Sequence, residues 1–179
     1  MSFGAAARLS KVICVSLAAV FLVTALAGCG DYRSQWLDIM NAYQKRLNED
    51  NKKLKELQDK GDLTETIKIL NSRMNYIGSV MEKVSALNPP PQYLKLHAIT
   101  LYFLLSVREQ WQAQNDLYEA AVTGKPTTDL ENNAKDQAAK ANMLTNELSF
   151  ELGKNDMELE VKPEGEPPQH SAPAPQPTQ

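Results

Sequence analysis

Histidine and cysteine are scarce in this chain of 179 residues, which holds two of each. Metal sites need converging ligands, and His97 and His170 are too few to supply them. No Glu-x-x-His occurs, so the di-iron arrangement of some four-helix bundles is absent. No C-x-x-C-H occurs either, which excludes covalent haem attachment. Met40 and His97 on facing helices form an imaginable haem pair, but methionines at seam positions are ordinary core filler. There is no glycine-rich phosphate loop and no nucleophile elbow. Paired carboxylates are plentiful, but on helix surfaces they act as solvating charge. No catalytic residue, metal or cofactor is expected, and the chain does not look like an enzyme.

The middle of the chain is poor in the residues that break helices. Between Tyr32 and Leu152 glycine is sparse, and proline falls only at Pro89, Pro90, Pro91 and Pro126. No alternating strand pattern interrupts this stretch. The fold class expected is all-α, an up-down antiparallel four-helix bundle with a disordered Pro-rich C-terminal tail. Three long helices with a loosely held fourth is the fallback. The helices are placed at about 32–60, 63–88, 92–123 and 129–152, and loops of a few residues make neighbours antiparallel.

The second helix carries the clearest signal. Leu63, Ile67, Leu70, Met74, Ile77, Met81 and Val84 recur at alternating four- and three-residue steps, an a/d seam. Asp62 and Glu65 have capping-box spacing at its start, and "NPPP" (Asn88 to Pro91) stops it. The first helix has Trp36, Met40, Tyr43, Leu47, Leu54 and Leu57 on one stripe, interrupted by a polar gap at Asp50 and Asn51 and closed by Gly61. In the third, "LKLHAITLYFLLSV" (Leu94 to Val107) is apolar nearly all round and should be the most buried segment. The seam then runs through Trp111, Tyr118 and Val122 to Gly124. Thr128 and Glu131 suggest a second capping box. The stripe behind it, Leu130, Ala134, Ala138, Ala141, Leu144 and Leu148, is alanine-rich, which makes this the weakest helix. His97 is expected as a partly buried residue bonded to the turn or an acid, with a titrating switch as the second reading. Arg108, if it faces inward, needs an acid such as Glu109, Asp116 or Glu82.

The ends say where the chain resides. The first eleven residues carry Arg8 and Lys11 and no acid, and Val12 to Ala27 is uncharged and apolar. A basic start, an apolar run and then small residues are the layout of an export signal. At about 16 residues the run is shorter than the ~20 of a spanning helix, so an uncleaved anchor is second best. The small residues end in Leu26-Ala27-Gly28-Cys29, which resembles the lipobox of bacterial lipoproteins. That resemblance implies cleavage between Gly28 and Cys29 and a diacylglycerol thioether on Cys29, often with a third chain on the new amino group. Two or more chains give lasting attachment where one gives only marginal binding. Cleavage removes Cys14 as well, leaving stability to a packed core. Gly30 follows, not the aspartate tied to inner-membrane retention in the enterobacterial pattern. A second, short stretch, "ALNPPPQYLKLHAITL" (Ala86 to Leu101), resembles secreted helical proteins of bacteria and implies a helical bundle without a known activity.

The expected organisation is residues 1–28 as cleaved signal, 29–155 as lipid-anchored bundle, and 156–179 as an acidic, then Pro-rich, disordered tail. Six of the ten prolines lie from Pro163 onward, and such a stretch buries too little surface to order. Loss of Arg8 and Lys11 leaves 17 basic against 22 acidic residues, about −5. That argues against nucleic acid and leaves the membrane contact to the lipid. The chain is therefore expected on the extracytoplasmic side of a bacterial membrane, as a binding or scaffolding module for another envelope protein. With an even number of helices, the NPPP turn lies near the bilayer and the Gly61 and Gly124 turns lie ~40 Å out. Partner contacts are expected at those turns. The alternative is a small-ligand carrier with a pocket between helices around Tyr43, Trp111 and Tyr118.

Overall fold

A computed structural model describes residues 4–160, with side chains placed from Tyr32 onward. The lipobox side chains Leu26 to Cys29 and the tail 161–179, His170 included, lie outside what is described. The elements are α1 (Gly4–Asp59), α2 (Leu63–Ser85), a 3-10 turn (Pro91–Tyr93), α3 (Leu94–Val122) and α4 (Thr128–Lys154). The fold is all-α, with the four helices running up and down in an antiparallel bundle. Helix α1 does not start near Tyr32, as the sequence suggested, but continues unbroken from Gly4. Among the described residues no helix is long and apolar enough to cross a membrane.

Local chemistry sets the ends. Gly61 and Gly124 take φ of +69° and +67°, the left-handed region where a side chain is strained. Asp62 accepts the Glu65 N–H at 3.1 Å, as the capping-box spacing predicts. At α4 the expected capping box does not form: the cap is Thr127, not Thr128, and its side chain accepts no backbone N–H. The Thr127 hydroxyl donates to the Glu131 carboxylate at 2.9 Å, and the Glu131 N–H donates to the Thr127 carbonyl.

Cross-helix contacts fix the register. Arg73 on α2 reaches Leu47 and Asn51 on α1, while Lys95 and Glu109 on α3 pair with Glu151 and Lys140 on α4. Across the core, α1 and α3 run parallel: Trp36 Nε1 donates to Thr100 Oγ1 at 3.2 Å, and Tyr43 meets Phe103 edge-on. Backbones approach in the order α1–α2, α2–α3, α3–α4, and among the described residues no Cα of α1 comes within 8 Å of α4. Helix α4 buries only Ala141, Leu148, Glu151 and Leu152, as its alanine-rich stripe implies.

The ordered body reaches further than expected. Residues 156–160 fall in the stretch assigned to a disordered tail, yet Met157 is buried and Leu159 packs against the core. Asp156 turns the chain with φ +50°, and the Arg33 guanidinium holds its carbonyl. The Glu160 N–H then donates to Asn41 Oδ1 at 2.9 Å. This segment links α4 to α1 through the Arg33 and Asn41 contacts, where the two helix backbones stay further apart.

Candidate functional site

Two features stand out, one inside the bundle and one on its surface. The inner one centres on Arg73, which is 1% exposed. It lies on α2 beside the a/d seam, in the flanking row that also buries Thr66 and Val80. One terminal nitrogen, Nη2, donates to the Leu47 carbonyl at 3.1 Å and to Asn51 Oδ1 at 2.7 Å. Its Nε lies 3.5 Å from Asp50 Oδ2, and its Cζ lies 4.5 Å from the Trp111 ring centroid. Asp50 is also bridged by Arg46 at 3.2 Å, so one carboxylate serves two guanidinium groups. Burial lowers the Arg73 pKa to about 10, against the raising pull of Asp50.

The donors here exceed the acceptors. Arg73 Nε and Nη1, Trp111 Nε1 and the Tyr43 hydroxyl are buried without a hydrogen-bond partner among the described residues. Such groups cost about 1–3 kcal/mol each when left unmade. Tyr43 is close enough for the Arg73 charge to act on it, but burial dominates and holds its hydroxyl protonated. Of the aromatic residues expected around a pocket, Tyr43 and Trp111 therefore meet at Arg73. Tyr118 does not join them: it bonds Gln58 and is pushed up to about 12 by burial.

The outer feature is an apolar face. Leu94, Tyr102 and Leu105 on α3 are 56%, 64% and 39% exposed. With Ala98 they sit at steps of four, four and three residues, one stripe of the helix. The reading of Leu94 to Val107 as the most buried segment is thus half right, because its outer side faces solvent. Met143 and Phe150 on α4 are 62% and 61% exposed. The Lys95–Glu151 and Glu109–Lys140 pairs set these residues at the same height along the bundle as the α3 stripe.

The other candidates fall elsewhere. His97 is half-buried beneath the proline turn, with Nδ1 3.3 Å from the Tyr32 hydroxyl, whose ring stacks on Tyr93. Burial lowers its pKa. Arg108 is exposed, so the inward-facing ion pair considered for it does not form. Of its named partners, Glu109 binds Lys140 and Asp116 accepts from Gln112. The buried arginine is Arg73 instead. Its signal lay in the polar gap at Asp50 and Asn51: folding an antiparallel hairpin about Gly61 lays that gap opposite position 73. Among the described residues no group of three His, Cys, Asp or Glu side chains is placed to hold a metal ion.

Fold and site together define a four-helix bundle with a charged, donor-rich centre. Compared with protein-family models, curated proteins and solved structures, the chain matches none.

Proposed function

We propose that this is a lipid-anchored, non-catalytic module of the bacterial cell envelope that binds another envelope protein. The anchor is the acylated Cys29, and the docking surface is the face built by Leu94, Tyr102, Leu105, Met143 and Phe150. The observation that carries the reading is this exposure: three large apolar side chains along one stripe of α3 and two more on α4, the helix packed against it. Apolar surface that gathers in one region marks an interaction site. Lysines and glutamates flank the face, Lys95 with Glu151 and Lys140 with Glu109, as polar rims flank apolar interface centres. The residues directly flanking Gly61 and Gly124 are polar, Lys60, Asp62, Thr123 and Lys125, and Val122 is a single exposed apolar side chain beside them. The side of the bundle nearer the proline turn is therefore preferred over those loops.

Site-specific photocrosslinking in cells tests this. A crosslinker at Tyr102 or Phe150 should yield one discrete adduct with another envelope protein, and one at Lys60 or Lys125 should not. Adducts from the distal turns alone would move the docking site away from α3 and α4.

A further inference from the structure

We infer that the Arg73 centre is a binding site for a small monovalent oxyanion, a carboxylate by class. This stands apart from the lipid anchor and from the α3–α4 face. Three residues from three helices carry unpartnered donors around the Arg73 guanidinium: Arg73 itself on α2, Trp111 on α3, whose ring face it covers, and Tyr43 on α1, within reach of its charge. Tyr43, Arg73 and Trp111 are 1%, 1% and 5% exposed, so bulk solvent does not serve them. Beyond the Tyr43 hydroxyl, which can also accept, the unpartnered side-chain acceptor among the described residues within one helical turn of them is Asn115 Oδ1.

Charge and stereochemistry point the same way. Arg46 and Arg73 share the single carboxylate of Asp50, which leaves one positive charge over. An anion of charge −1 balances it. A carboxylate offers only acceptors, two oxygens that can each take a bond from a different donor, and a charge-assisted bond from a guanidinium is among the stronger ones. Nη2 is already committed to Leu47 and Asn51, which leaves Nη1 of Arg73 to meet the ligand. The Tyr43 hydroxyl donates the second bond. Arg46, with a side chain 43% exposed, is the member of the centre that meets solvent.

The test uses the mature, acylated chain in detergent, titrated with sodium acetate and with sodium chloride at matched ionic strength. Trp111 lies directly against the guanidinium, so its fluorescence reports the centre. Acetate should give a saturable change in emission and a rise in Tm that chloride does not give. Tyr43→Phe keeps the ring in the core and removes only the hydroxyl. It should weaken acetate binding by roughly tenfold, the effect of one hydrogen bond to a charged group. Arg73→Met should abolish binding. Equal responses to acetate and chloride in the unmodified chain would overturn the inference, whatever the variants do. So would an acetate response unchanged in Tyr43→Phe.

Discussion

Arg73 and Asp50 each depend on the other. The cost of burying a guanidinium is offset here by a shared carboxylate, two acceptors on Nη2 and an aromatic face. Removing one partner leaves the other charged and unpaired, so Asp50→Asn should cost about 3–5 kcal/mol in urea unfolding. Replacing both, as Arg73→Met with Asp50→Leu, should recover most of that loss. A double variant as unstable as Asp50→Asn would show that the charge pair is not the cause. His97 works with the opposite charge logic. Burial disfavours its charged form, so its folded pKa lies below 6.5 and the unfolded chain binds the proton first. The contribution is intact above pH 6.5 and is lost as pH falls below it. Tm measured from pH 7.5 to 5.5 should therefore decline more steeply for the natural chain than for His97→Gln. Parallel curves would assign the decline to other groups. Neither arginine role was evident from composition alone. Arg108 sits beside apolar residues yet points outward, whereas Arg73 is surrounded by polar neighbours in sequence, Asn71, Ser72 and Asn75, and points in.

At the scale of elements, legibility followed periodicity. The seam of α2, the Asp62 cap and the glycine turns were readable because each rests on contacts within a few residues. The crossing segment after α4 was not. Its two apolar residues, Met157 and Leu159, alternate with Asp156, Glu158 and Glu160, and five residues are too few to outweigh an acidic composition. The outer face of α3 was misread for a related reason: a helix apolar all round looks buried all round unless its neighbours are known. Met157 is the buried residue of the segment that ties α4 to α1, so its loss should be felt by the whole bundle. Met157→Ala should cost about 2–5 kcal/mol, in the range of large-to-small core changes, and should speed proteolysis of α4. A change under half a kcal/mol would mean the segment merely rests on the surface.

At the scale of the molecule, the bundle has a base and a far end. The base gathers the proline turn, the stacked Tyr32 and Tyr93, His97 and the crossing segment. The Gly61 and Gly124 turns stand at the far end, and the apolar face lies along the side nearer the base. If a lipid at Cys29 holds the base to a bilayer, that face is presented close to the membrane surface. A partner embedded in the same membrane would meet it there. This geometry would rest on acylation of Cys29 more than on any side chain within the bundle. Intact mass spectrometry of the protein extracted from cell membranes tests it most directly. The expected mass is that of a chain beginning at Cys29 and carrying a diacylglyceryl group, with or without a third acyl chain. An unacylated chain, or one that still begins at Met1, would contradict it.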